Sequence, residues 1–235
     1  MNLGRNELDR SAEFYSVESA FDKKLIEFRF RALLPHIRGE SVLELGPGSG
    51  EMTRKISEIA KKLTVVEGSK EILSSVPDLK NLKKIHSYFE LFDPEDKFDT
   101  IIAEHVLEHV EDPIHLLKIV REWLAPGGSL IVGVPNSHSI HRRVAVKMGL
   151  LKSEDQLNSR DLQFGHRRVY DFDLLTEHLM AAGYRIRHKS GIFFKPLSNS
   201  QINEQWTDEM IEGFYMLGCD YPELCAEIQM ICESD

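Results

Sequence analysis

A short apolar run, Val42-Leu43-Glu44-Leu45, stops at Gly46-Pro47-Gly48-Ser49-Gly50 and hands over to a helical stretch from Glu51. A strand feeding three alternate glycines and then a helix restricts this chain more than any other feature. Glycine turns sharply and lets a ligand approach the backbone. In α/β sheets such a turn lies at the carboxyl edge of the strands, where ligands bind. The spacing separates cofactor classes. A dinucleotide fingerprint sets its third glycine three positions after the second. Here Glu51 stands there, and an acid at a helix N-terminus is a poor host for pyrophosphate. A cationic cofactor without phosphate fits better; the plain alternative is a tight structural turn.

The rest of the chain alternates strand and helix patterns. Apolar runs recur at Leu63–Val66, Leu82–His86, Phe98–Ala103 and Ser129–Val134. Helices are expected over Glu51–Lys61, from near Ser69, and from Pro113, since proline suits a first helical turn. Such alternation predicts a parallel sheet with helices on both faces. Val17, Phe21, Leu25, Phe28 and Leu33 fall near helical spacing, which predicts an N-terminal helix over 17–38. Asp171–Ala182 reads as a helix capped by Asp171 and stopped by Gly183. Tyr184–Phe194 is strand-like. Ala226, Ile228, Met230 and Cys232 alternate with Glu227 and Gln229, the pattern of a half-exposed strand, and a terminal strand of this kind often inserts antiparallel. Glu67 closes the second strand about twenty residues past the first glycine, where a carboxylate can accept both hydroxyls of a cofactor ribose.

One domain spanning 1–235 accommodates all of this. Residues 137–170 lack a strand pattern and are too long for an ordinary connection, which predicts a substrate lid. Seven basic side chains there (Arg142, Arg143, Lys147, Lys152, Arg160, Arg167, Arg168) face three acids (Glu154, Asp155, Asp161). The chain as a whole carries −9, which speaks against broad binding to nucleic acid or anionic membranes. A solvated basic face is the plain reading of the lid; an anionic acceptor is the sharper one. Cys219, Cys225 and Cys232 have neither metal-ligand spacing nor an even-numbered framework, so reduced, cytoplasmic thiols are expected. The polar, acidic start is not that of a signal or transit peptide.

Further motifs join the glycine loop: Phe98-Asp99-Thr100-Ile101-Ile102, Val106-Leu107-Glu108-His109-Val110-Glu111-Asp112-Pro113, and Leu124-Ala125-Pro126-Gly127-Gly128-Ser129-Leu130. With Glu44 to Gly50 and Glu67, they resemble the class I S-adenosylmethionine (SAM)-dependent methyltransferases, in the subgroup that includes the ubiquinone and menaquinone biosynthesis enzymes. The resemblance is strong over 40–135 and looser to 195. It implies a Rossmann-like α/β fold: a seven-stranded, mostly parallel sheet with an antiparallel last strand, and a lid inserted after the fifth strand. It also implies SAM as cofactor, with S-adenosylhomocysteine as product and no metal. Glu44 and the backbone of Gly46, Gly48 and Gly50 would hold the methionyl part. Glu67, with Gly68 beside it, would hold the ribose, and Ser87, Tyr88 and Phe89 would frame the adenine. Glu104 and His105 would face the sulfonium. The chain departs from many relatives in carrying His86-Ser87-Tyr88-Phe89-Glu90 where they have an acid after the third strand.

Methyl transfer from a sulfonium is an in-line displacement, so alignment can supply several kcal/mol, on the order of 7–11 in model systems. A base is needed only where the nucleophile must lose a proton. His105 is the first candidate and His166 the second. His109 reads instead as a histidine bonded to nearby backbone. His138, Arg142, Arg167, Arg168 and Tyr170 are the candidate acceptor contacts. Trp206, Phe214 and Tyr215 suit core packing better than a pocket wall. The function expected is O- or N-methylation of a small anionic metabolite. Alternatives are a tRNA methyltransferase docking through the lid, and a SAM-binding partner protein without catalysis. A homodimer is left open.

Overall fold

The computed structural model describes residues 19–234, so Val17 lies outside the described residues. The N-terminal helix α1 (Ala20–Leu33) starts at a capping box in which Ser19 and Asp22 satisfy each other's backbone N–H. β1 (Ser41–Leu45) leads through the glycine loop into α2 (Glu51–Ser57), then β2 (Lys62–Glu67), α3 (Lys70–Ser75) and β3 (Leu82–His86). β4 (Phe98–Glu104), α4 (Pro113–Trp123) and β5 (Leu124–Pro135) follow. The lid holds α5 (Ile140–Lys147) and α6 (Ser159–Gln163); α7 (Phe172–Ala181), β6 (Tyr184–Ile192), α8 (Asn199–Gln205), α9 (Asp208–Asp220) and β7 (Glu227–Ser234) complete the chain. Helix α2 ends four residues short of the expected Lys61, where residues 58–60 close a tight turn that buries Ala60 and leaves Glu58 and Ile59 exposed.

The strands form one sheet in the order β3-β2-β1-β4-β5-β7-β6, with β7 antiparallel to both neighbours. Side chains alternate across it. Leu43, Ile101, Leu130, Val132, Ile228 and Met230 point to a core closed by α4 and α7. Val42, Ile102, Ile131 and Ile231 point to the opposite core, under α1 and α2. Asp171 caps α7 with its side chain, as the sequence predicts, and Asp112 caps α4, which starts at the expected Pro113. Gly183 ends the second of these helices at φ 84°.

β7 corrects one expectation. Its alternation is present, yet the polar phase does not face water: Glu227 is 7% exposed and Gln229 is fully buried. The strand lies between β5 and β6, and α1 covers the face on which a free edge would be wet. Gln229 Nε2 lies 3.5 Å from the Arg29 carbonyl and donates to Glu104 Oε1 at 2.7 Å. Trp206, Phe214 and Tyr215 pack into a third cluster with Phe21, Phe28 and Phe193. Tyr215 stacks on Phe28 at 4.2 Å. No helix among the described residues is long and apolar enough to cross a membrane.

Candidate active site

The parallel strands end at one edge, and a cavity of about 390 Å³ opens there. On the β1–β2 flank it is lined by Glu44, the Gly46–Ser49 loop, Glu67 and Phe89. Gly46 and Gly48 take φ of 67° and 51°, left-handed conformations that favour glycine. A Cβ at Gly46 would lie 3.3 Å from Val106 Cγ2, so the bare backbone keeps this wall open. Gly50, at φ 79°, caps α2 instead, and a Cβ there would meet Pro77 Cδ at 2.8 Å.

Glu44 is 3% exposed and accepts from Thr53 Oγ1 at 2.6 Å. Burial pushes its carboxyl up to about 7, reinforced by the nearby Glu104 carboxylate. Glu67 Oε1 accepts from the Ser69 N–H at 2.7 Å, which fixes the carboxylate at the strand end. Burial raises this group too. Phe89 reaches the cavity. Ser87 Oγ instead donates to the Tyr88 carbonyl at 2.9 Å, and the Gly68 carbonyl meets His86 Nε2 at 3.0 Å.

The end of β4 brings a denser arrangement. His105 sits at φ 55°, unusual for a residue with a side chain, and its amide donates to the Gly133 carbonyl at 2.8 Å. That turn sets its ring between two acids: Nδ1 is 3.2 Å from Glu108 Oε1 and Nε2 is 3.4 Å from Glu227 Oε2. Burial and the Arg29 guanidinium push the imidazole down, but Glu227 and Glu108 outweigh them and carry it up to about 9. Burial alone would raise Glu227; the Arg29 and His105 charges hold it down at about 2. Glu227 Oε2 also lies 2.9 Å from Arg29 Nε. Glu104 Oε2 is buried without a hydrogen-bond partner, and burial raises its pKa. A side chain at Gly133 would collide with this carboxylate, so the glycine makes its space.

Three of the lid's five arginines, Arg142, Arg167 and Arg168, hold backbone. Arg142 donates to the carbonyls of Glu154, at 2.7 Å, and Gln156, and pairs with Asp161 at 3.1 Å. Arg168 reaches the carbonyls of Leu107, Val110 and Glu111 at 2.6–3.0 Å. Arg167 Nε donates to the His109 carbonyl at 3.0 Å. His138 turns to Asp171 at 3.5 Å and Glu154 at 3.7 Å. Tyr170 is fully buried; its hydroxyl meets His178 Nδ1 at 3.2 Å, and its carbonyl accepts from Ser137 N at 2.6 Å. Among the sequence-predicted acceptor contacts Arg142 lines the cavity, while the others named here brace the lid. His105 and His166 both line it.

The cavity's cations are Arg142 and Arg160 of the lid with Arg29 and Lys195. Lys195, just past β6, is lowered by burial to about 8 and donates to Asn199 Oδ1 at 2.8 Å. Arg160 on α6 and neutral His141 stand on the same flank of the sheet. Sequence reasoning missed Arg29, Lys195, Asn199 and Glu227. The period-two pattern marked Glu227, but its polar phase was assigned to solvent. Lys195 carries no local pattern.

The acids at the ends of β1, β2 and β4 suit a cationic ligand, and the unpartnered Glu104 oxygen fits a positively charged sulfur. The donor set therefore accommodates SAM.

A family model described as "Methyltransferase domain" matches residues 17–189. A ubiquinone biosynthesis O-methyltransferase of Xanthomonas euvesicatoria pv. vesicatoria is 24% identical over 180 residues, covering 69% of this chain and 70% of that protein. A tRNA U34 carboxymethyltransferase of Shewanella sediminis is 31% identical over 117 residues, but the match spans 45% of this chain and 36% of that protein. In fold, the N-methyltransferase NodS from Bradyrhizobium japonicum, solved with S-adenosylhomocysteine, superposes with a TM-score of 0.64 at 14% identity. That superposition covers 98% of this chain and 97% of that one.

Proposed function

The chain belongs to the methyltransferase-domain family, and on that premise we propose that it moves the methyl group of SAM to an oxygen or nitrogen of a small anionic metabolite. The observation that carries this reading is one cavity in which Glu44, Glu67 and Glu104 gather at the strand ends while Lys195 and Arg160 stand in the same lining, beside Asp22, Asp161 and Glu227. SAM supplies an activated methyl on a positively charged sulfur. Glu44 and the Gly46–Gly48 backbone take its methionyl part, Glu67 its ribose and Phe89 its adenine. Glu104 faces the sulfonium, an arrangement that favours the charged ground state and orients the methyl outward.

The acceptor's anionic group meets Lys195 and Arg160, both in the cavity lining. His105, drawn up to about 9, is a cation at neutral pH. Its role is therefore positioning at the reacting end rather than removal of a proton, and an acceptor atom that already offers a lone pair suits this site. His166 completes the lid side. The tRNA alternative has a relative matching only part of its length, and Arg142, Arg167 and Arg168 of the lid are held by backbone carbonyls.

Transfer of labelled methyl from SAM to pooled carboxylated and phosphorylated metabolites, set beside tRNA, tests the proposal. Lys195→Met should raise the acceptor KM about 10- to 100-fold, from loss of a charge-assisted bond of about 1.5–3 kcal/mol, with the KM for SAM unchanged. Label entering tRNA alone overturns it.

A further inference from the structure

Lys195 is held by a chain of polar side chains that runs away from the cavity to the start of α1. Its ammonium donates to Asn199 Oδ1 at 2.8 Å, and Asn199 Nδ2 donates to Asp22 Oδ1 at 2.7 Å. The other Asp22 oxygen accepts from the Ser19 hydroxyl at 2.6 Å and the Ser19 N–H at 2.9 Å. Of the two ends of an amide, the oxygen accepts from an ammonium and the nitrogen donates to a carboxylate. The two neighbours therefore fix which way the Asn199 amide points. We infer that Asn199 and Asp22 are positioning residues for the acceptor: Asp22 locks the Asn199 amide, and the amide holds the Lys195 ammonium where it meets the acceptor's anion. This rests on the acceptor contact proposed for Lys195.

The competing account is that these bonds only dock α8 on α1. Docking is supplied by other groups. The Phe21 N–H donates to Asn203 Oδ1 at 3.3 Å, and Ile202 packs with Phe21, Leu25 and Phe193 in one apolar cluster. Each helix also has its own N-terminal capping box, Ser19 with Asp22 on α1 and Ser198 with Gln201 on α8. Both boxes close without the Asn199 side chain. Lys195, Asn199 and Asp22 meanwhile all line the cavity. A lysine carries its charge on a flexible four-carbon stem. Fixing that stem in the empty site lowers the ordering cost of binding an anion.

The relay also carries charge. Burial lowers Lys195, Glu227 on β7 raises it, Arg160 on α6 lowers it, Asp22 raises it and Arg142 on α5 lowers it. Glu227 is engaged by Arg29 at 2.9 Å and faces His105 at 3.4 Å. Asp22 is the acid that reaches the ammonium through hydrogen bonds. Its carboxylate stands one amide beyond Lys195, so it favours the charged form while the amide takes one of the three N–H donors. The sequence carries no expectation of this relay, because Asp22 and Asn199 lie 177 positions apart.

The test follows the Lys195 resonance by NMR in the whole chain carrying isotope-labelled lysine, with Lys195→Met identifying the signal. The first measurement is its pH titration without ligand. Asp22→Asn should move that titration to lower pH. Exchanging the pair, Asp22→Asn together with Asn199→Asp, keeps the hydrogen bonds of the relay but sets the negative charge against the ammonium. The titration should then move above that of the parent, a reversal that a docking role does not produce. The second measurement adds inorganic phosphate or acetate in place of the acceptor's anion. Asn199→Ala should weaken the affinity read at Lys195 about 3- to 10-fold. Affinity for S-adenosylhomocysteine reports that each variant is folded, and if Asp22→Asn loosens α1 the exchanged pair carries the comparison. An anion that moves the Lys195 resonance, with the titration the same in the parent and the exchanged pair, overturns the relay alone. Unchanged anion affinity in Asn199→Ala overturns it too. A titration that shifts as expected while neither anion moves the resonance overturns the acceptor contact, and the inference with it.

Discussion

Two titratable side chains inside the cavity make the chemistry depend on pH in opposite directions. Glu44, raised by burial from 4.5 to about 7, must be ionised to hold an ammonium group. Affinity for S-adenosylhomocysteine should therefore rise about tenfold from pH 6 to 8. Calorimetry at several pH values reads this, and a slope that persists in Glu44→Gln would remove Glu44 from the methionyl end. The linkage sign is consistent. Between 4.5 and about 7 the folded protein binds the extra proton, so the unliganded chain loses stability as pH climbs through that window. Lys195 behaves conversely. Burial lowers it from 10.5 to about 8, so above about pH 8 its charge is lost and the acceptor KM should increase. The unfolded chain holds that proton more tightly between about 8 and 10.5, so folding itself gains as pH rises there. A KM flat to pH 9.5 would mean that Lys195 does not touch the acceptor.

At the scale of elements, the lid arginines brace the turn after β4. Arg168 satisfies three carbonyls that the turn between His105 and Asp112 leaves open. Arg168→Met should cost about 1–3 kcal/mol of stability, seen as a lower Tm, with the acceptor KM changed no more than the loosened lid requires. Full stability with a sharply raised KM would return Arg168 to the acceptor clamp. The sequence makes the strands, the cap at Asp171, the helix start at Pro113 and the glycine turn legible, because each depends on neighbours within a few residues. Of the residues assigned to the cofactor by resemblance, Glu44, Gly46, Gly48, Glu67, Phe89 and Glu104 line the cavity. The acceptor flank is different. Charge content marks 137–170 as basic, but whether an arginine meets a ligand or a carbonyl depends on which carbonyls the tertiary fold strands. β7 repeats the lesson: period two is local, whereas what covers Glu227 and Gln229 is decided by α1, at the other end of the chain.

Across the whole molecule, the chain carries −9, while Arg29, Arg142, Arg160 and Lys195 stand among the acids that line the cavity. A net negative chain should repel a polyanion at long range, while a small anion of the proposed kind, once inside, would meet Lys195 and Arg160. Screening treats the two cases differently. The Debye length falls from roughly 14 Å at 50 mM to about 7 Å at 200 mM, which weakens long-range terms but reaches partly buried pairs much less. A small anion held by two cations should therefore show an acceptor KM that rises less than about tenfold over that range. An RNA bound through six to ten phosphates would instead lose about 10³–10⁵ in affinity, by counterion release. Initial rates against salt, for the parent and for Lys195→Met, separate these. The expected result is a shallow slope in the parent that becomes shallower in the variant. A steep slope unaffected by Lys195→Met would place the binding cations on the outer surface of the lid, on residues such as Arg143 and Lys147, and a nucleic acid would then replace the small metabolite as acceptor.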